Sequence, residues 1–128
     1  SSVGLLMVDV DHFKAYNDQY GHQAGDQALR AVAGAIQSEA RTYDHVTRYG
    51  GEEFSVILPD THVADARAVA ERIRLAVQAL KGLHRPVTVS VGIAMSTAQS
   101  TPAELVSRAD QALYQAKQAG RNRVHTLL

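Results

Sequence analysis

Four carboxylates lie in two short stretches of this chain: Asp9 and Asp11 in Asp9-Val10-Asp11, and Glu52 and Glu53 directly after Gly50-Gly51. Brought to one place, such groups repel, so either their pKa values rise or a cation neutralises them. The chain has no Cys, which removes thiolate chemistry and Cys-zinc sites. All-oxygen ligands favour a hard ion, Mg2+ or Mn2+. Mg2+ usually takes one or two carboxylates and completes its shell with substrate phosphates, which points to a nucleotide. Gly50 and Gly51 lack side chains, so a ligand can approach their backbone closely. Alone, a Gly-Gly pair reads more simply as turn punctuation with solvated acids beside it. The combination with Asp9 and Asp11 is what carries weight.

For these stretches to meet, the end of one strand must lie beside the tip of a hairpin. Residues 3–10 are apolar and branched until Asp9, the pattern of a strand buried on both faces. Residues 11–20 predict a short helix stopping near Gly21. Residues 24–41 predict a longer one, with Leu29, Val32, Ala33, Ile36 and Ala40 on one stripe. Residues 45–49 and 53–58 predict two strands around Gly50-Gly51, a pair expected to supply the positive φ angles of a tight turn. Asp60 or Thr61 is the expected N-cap of a helix reaching residue 80. Residues 87–94 alternate Val and Ile with Thr, Ser and Gly, which is strand periodicity. Thr101-Pro102 with Glu104 opens a last helix, Gly120 is its C′ residue, and residues 123–128 supply an edge strand. The order β-α-α-β-β-α-β-α-β predicts an α+β fold of the split-βαβ type. That is a two-layer sandwich with a central, mostly antiparallel sheet of about five strands and flanking helices. In that topology the first strand and the strand before the hairpin run the same way. Asp9 and Asp11 then fall near Gly50, Gly51, Glu52 and Glu53 at one sheet edge.

A length of 128 residues suits one domain, expected over residues 1–128, that needs no disulfide or metal staple. Hydrophobic residues at 45% and charged residues at 20% exclude a disordered chain. Lys and Arg total 13 against 13 Asp and Glu, which argues against a grip on DNA or RNA driven by counterion release. No apolar run approaches the roughly 18 residues of a bilayer span, and no secretory pattern opens the chain. The expectation is a cytoplasmic domain that makes no membrane contact itself, whether or not other domains anchor the parent protein.

Arg48-Tyr49-Gly50-Gly51-Glu52-Glu53-Phe54 resembles the signature of the GGDEF family of diguanylate cyclases, in its GGEEF form. The run from Asp9 through Asn17, then Gly21-His22, Gly25-Asp26 and Lys117-Gln118-Ala119-Gly120-Arg121-Asn122, is similar to that family's pattern in order and spacing. The resemblance covers essentially the whole chain. It implies a sheet like that of nucleotide cyclases and palm domains, and an activity joining two GTP into cyclic di-GMP with release of pyrophosphate. It implies metal at Asp9, at the Val10 carbonyl and at Glu52, two Mg2+ or Mn2+ ions per site, with Glu52 or Glu53 accepting the proton of the attacking 3′-hydroxyl. Two ions about 4 Å apart stabilise both the attacking and the leaving oxygen of an in-line transfer. Lys14 would offset charge on the triphosphate. Asn17 and Asp26 would read guanine, whose N1–H and N2–H2 donors suit a carboxylate and are lacking in adenine. Gly50, Gly51 and His22 would border the nucleotide, and Lys117 and Arg121 would hold its β- and γ-phosphates. Plainer readings stand beside these: a solvated Lys14, a loop His22, an Asp26 serving a helix N-terminus, and Lys117 and Arg121 serving the last carbonyls of a helix.

Arg41-Thr42-Tyr43-Asp44 resembles the family's RxxD inhibitory site, where cyclic di-GMP binds away from catalysis, with Arg72 as a second contact. The alternative is a surface salt bridge worth at most about 1 kcal/mol. Joining two nucleotides symmetrically needs two sites face to face, so the resemblance implies a homodimer for catalysis. Family members carry a Leu-Thr-x-Leu-x-Asn-Arg turn ahead of the first strand. This chain enters its strand at once, so a domain lacking that lead-in is expected. The competing reading is a non-catalytic sensor module that binds cyclic di-GMP or GTP. A haloacid-dehalogenase-like phosphatase, suggested by Asp9-Val10-Asp11 at a strand end, fails on size and on Phe13 where a hydroxyl side chain is needed.

Overall fold

The computed structural model describes residues 2–127. Along the chain run β1 (Gly4–Val10), α1 (Phe13–Tyr20), α2 (His22–Glu39), β2 (His45–Arg48), β3 (Glu53–Leu58), α3 (Val63–Gln78), β4 (Val89–Met95), α4 (Pro102–Gln118) and β5 (Val124–Leu127). The order is the expected one. Leu128, the expected end of the last strand, lies outside the described residues, as does Ser1.

The strands form a five-stranded α+β sheet in the order β2-β3-β1-β4-β5. The β1–β3, β1–β4 and β2–β3 pairs are antiparallel, and β4–β5 is parallel with α4 as its crossover. β1 is apolar on both faces and therefore takes the centre, its side chains alternating between two cores. Leu6, Val8 and Val10 pack with Phe54, Val56 and Ile93 and with the apolar stripes of α2 and α3. Leu5 and Met7 pack with Ala94 and with Ala109 and Leu113 of α4. The sandwich of sheet and α2–α3 holds, and α4 covers the opposite face over β1, β4 and β5. α4 sits close because β4 carries Gly92 beneath it: a Cβ there would lie 2.2 Å from Leu113 N and 2.4 Å from Ala109 O. The helix starts as expected, with Thr101 and Glu104 in a reciprocal capping box and Pro102 in the first turn.

Three local expectations are corrected. α2 ends at Glu39, so Arg41 stands outside it. The N-cap of α3 is His62, not Asp60 or Thr61. Thr61 is buried with its hydroxyl already engaged, donating to Pro59 O (2.7 Å) and accepting from Arg41 Nη2 (2.6 Å). Neither Gly50 nor Gly51 has a left-handed φ. The turn is instead closed by Arg48, which donates to Gly51 O (2.6 Å), and by Tyr49 N donating to Glu53 O (2.8 Å). The glycines contribute space, since a Cβ on Gly51 would meet nothing within 4 Å.

Candidate active site

The antiparallel register puts Asp9 opposite Glu53, and Val10 N donates to Glu52 O (3.2 Å). The end of β1 and the hairpin tip therefore converge as the topology requires. Asp9 is only 5% exposed and faces α4, whose last turn brings Lys117 Nζ against Asp9 Oδ2. The other oxygen, Asp9 Oδ1, is buried with no partner among the described residues. An orphan buried carboxylate oxygen is costly unless something completes it. Burial pushes the Glu52 carboxyl up, the neighbouring Asp9 charge pushes it further, and Lys117 opposes both. Glu53 is pushed up by burial first, then by Asp9 and Asp110, again against Lys117. A carboxylate oxygen in need of a partner, flanked by two acids that resist ionisation, suits a hard cation. Among the described residues no group of three His, Cys, Asp or Glu side chains is arranged to hold a metal ion.

Asp11 lies beside these acids, lining one cleft with Asp9 and Glu52, but its carboxylate is already engaged. Its carboxylate accepts from Thr88 Oγ1 (2.7 Å), Ser90 Oγ (2.6 Å) and Asn122 N (3.0 Å). The expected four-acid edge is thus three acids plus one carboxylate consumed in structure.

Two adjoining clefts open beside Asp9. The first, about 180 Å3, is bordered by Asp9, Val10, Lys14, Glu52, Lys117 and Arg121. The second, about 370 Å3, shares Phe13, Lys14 and Glu52 with it and adds Asn17, Asp26 and Gly51. Asn17 Oδ1 is a second buried oxygen without a partner among the described residues. Asp26 is exposed and lies beyond the first turn of α2, which contains no acid, so the helix-dipole role falls away. His22, exposed as the first residue of α2, borders neither cleft, and neither do Gly50 and Glu53. Chain direction reverses into α1 at His12, a non-glycine residue with φ of 55°.

At the other end of α2, Arg41 is folded onto its own loop. Its Nε and Nη2 donate to both oxygens of Asp44, whose side chain is fully buried, and Nη2 also reaches Thr61. That pairing raises the guanidinium pKa still further. Arg72 Nε lies 3.6 Å from Glu39 Oε1, which sets it beside the C-terminus of α2, two positions from Arg41.

Sequence reasoning missed three supports. Gly25 makes room for Asn17: a Cβ there would lie 1.6 Å from Asn17 Oδ1. Arg48 latches the hairpin. Asn122 ties the loop after α4 to Asp11 and α3. Only the Gly25 signal, a glycine inside a helical pattern eight positions after Asn17, was available beforehand. A third cavity, about 410 Å3, lies between Ile57 and Met7 of the sheet and Leu105 and Val106 of α4, and its walls carry no charged side chain.

Residues 1–123 match the family model described as diguanylate cyclase, GGDEF domain. The chain is 47% identical over 128 residues to diguanylate cyclase A of Treponema denticola, covering 96% of this chain and 34% of that protein. It is 48% identical over 122 residues to diguanylate cyclase DgcM of Escherichia coli, covering 94% of this chain and 30% of that protein. It thus spans about a third of the length of these relatives. The crystal structure of the GGDEF domain of DgcB from Caulobacter crescentus in complex with c-di-GMP superposes with a TM-score of 0.93 at 38% identity, covering 98% of this chain and 77% of that one.

Proposed function

The chain belongs to the GGDEF-domain family of diguanylate cyclases, and from that premise we propose that it condenses two GTP molecules into cyclic di-GMP and two pyrophosphates. The observation that carries the reading is the meeting of Asp9, with its unpartnered buried oxygen, and Glu52 at the mouth of a cleft that also holds Lys117 and Arg121. In each transfer the 3′-oxygen of one GTP attacks the α-phosphorus of the other. The bond from that phosphorus to the bridging β-oxygen breaks and pyrophosphate leaves with its electron pair. The 3′-hydroxyl proton passes to Glu52 or Glu53, acids whose raised pKa values bring them closer to a useful base strength. Charge building on the leaving phosphates is met by Lys14, Lys117 and Arg121. Two Mg2+ or Mn2+ ions would be held by Asp9, the Val10 carbonyl and Glu52, and when bound would supply neutralisation of the transferring phosphate.

Asn17 and Asp26 read guanine in the adjoining cleft, with Gly51 leaving room beside the ring. Catalysis uses two copies of the domain face to face, because each site holds one nucleotide. Arg41, Asp44 and Arg72 form a second site that takes the product and slows turnover; cyclic di-GMP in the DgcB complex supports a dinucleotide ligand for this family. Among the described residues no helix is long and apolar enough to cross a membrane.

The test is incubation of the chain, fused to a leucine zipper that enforces a dimer, with GTP and Mg2+, followed by chromatography. Cyclic di-GMP should appear and be lost in Glu52→Ala. Absence of product together with tight cyclic di-GMP binding would replace the enzyme by a sensor, a reading that the preformed Arg41–Asp44 pair keeps in play.

A further inference from the structure

After α4 the backbone takes three positive φ angles in succession: Gly120 (131°), Arg121 (63°) and Asn122 (45°). For Arg121 this conformation costs free energy and persists only where the surroundings hold it, whereas Asn adopts it more readily. The hold is dense. Arg121 N donates to Ala116 O (3.0 Å), and Asn122 N donates to Asp11 Oδ2 (3.0 Å). The Asn122 amide spans to α3, its Oδ1 accepting from Arg74 Nη1 (2.9 Å) and its Nδ2 donating to Gln78 Oε1 (2.9 Å). Asp11 is itself fixed by Thr88 and Ser90, and Arg74 is braced by Glu71. The Arg121 side chain is the opposite case. It is exposed, makes no hydrogen bond or ion pair among the described residues, and borders the cleft of Asp9 and Glu52.

We propose that Asp11 and Asn122 are positioning residues that fix the backbone of Arg121 so that its guanidinium meets the terminal phosphates of a nucleoside triphosphate. The inference rests on the GTP site proposed above and adds the parts that aim it. A backbone pinned from the residue after β1 and from α3 lowers the ordering cost of the contact. Only phosphates beyond the first gain from it, so the device separates a triphosphate from a monophosphate.

The test measures, by calorimetry in Mg2+, the affinity of the full chain for a non-hydrolysable GTP analogue and for GMP. Asn122→Gly keeps a residue at ease with positive φ and deletes both bonds to α3. Its triphosphate affinity should fall about tenfold while GMP affinity changes by less than about twofold, with the thermal transition retained. Asn122→Asp tolerates the same φ and still accepts from Arg74, so it should recover most of the loss. Arg74→Met, outside the cleft, should reproduce part of it. An unchanged ratio of triphosphate to GMP affinity in Asn122→Gly, or an equal fall in both, overturns the proposal. A wild-type chain that prefers neither ligand overturns the GTP reading along with it, an outcome visible before any variant is made.

Discussion

Lys117 and Asp9 meet across 108 positions of chain, the ammonium in the last turn of α4 against one oxygen of a carboxylate that is 5% exposed. Lys117 is the nearest compensating charge for Asp9, and it also opposes the raised pKa values of Glu52, Glu53 and Asp110. Removing it leaves an uncompensated, largely buried charge. Lys117→Met should cost about 2 kcal/mol, allowing for the partial exposure of the lysine. In thermal unfolding that is a fall of about 8 °C. Adding Mg2+ should recover more stability in Lys117→Met than in wild type, because a cation then completes Asp9 unaided. Asp9→Asn in the Lys117→Met background should restore the melting temperature and abolish the Mg2+ response. Equal Mg2+ responses in all three proteins would rule out Asp9 as a cation ligand.

The convergence of Asp9 with the Gly50-Gly51 hairpin was legible in sequence, because β1 is apolar on both faces and its acidic end beside a Gly-Gly hairpin leaves few topologies. Side-chain satisfaction was not. Asp11 has the same composition signal as Asp9, yet its carboxylate is consumed by Thr88, Ser90 and Asn122, partners that only the fold brings near. Thr61 looks like an N-cap locally, but tertiary contact with Arg41 claims its hydroxyl and moves the cap to His62. Gly50 and Gly51 carried two expectations, a positive φ and open space; the first fails and open space is found at Gly51, a distinction that composition cannot make.

Guanine selection can be tested from both sides of the second cleft. Asp26→Ala should weaken GTP binding about ten- to a hundredfold, the worth of hydrogen bonds to a charged acceptor, and leave ATP binding unchanged. Gly25→Ala should act without touching the base, since its Cβ would displace Asn17 Oδ1 from its seat. Equilibrium binding of fluorescent GTP and ATP analogues reads both. Parallel losses for the two nucleotides would deny these residues a role in base choice.

The RxxD loop calls for a substitution that spares the fold. Asp44 has a fully buried side chain neutralised by Arg41, so Arg41→Ala should unfold the loop as well as remove a ligand contact, at about 3 kcal/mol. Arg72→Ala breaks only a half-exposed pair with Glu39, worth less than about 1 kcal/mol. Arg72→Ala should therefore keep the wild-type melting temperature while weakening cyclic di-GMP binding about tenfold by calorimetry. Unaltered affinity would place the dinucleotide elsewhere.

Asp110 gives a pH test at a carboxyl that borders neither cleft. Partial desolvation pushes the carboxyl of this exposed α4 residue up, and the charge of Lys117 opposes the shift. A folded-state pKa above the unfolded value means that the unfolded chain ionises first, so this residue lowers stability as pH rises through the window between the two. Below that window both states are protonated and the penalty is absent. Asp110→Asn should therefore melt like wild type near about pH 3 and about 1–2 °C higher near about pH 7, a small gain because solvent screens a partly exposed group. Differential scanning calorimetry across that range reads the divergence. A variant less stable at the upper pH would mean that the Asp110 charge is satisfied in the folded protein, chiefly by Lys117, and that desolvation does not dominate there.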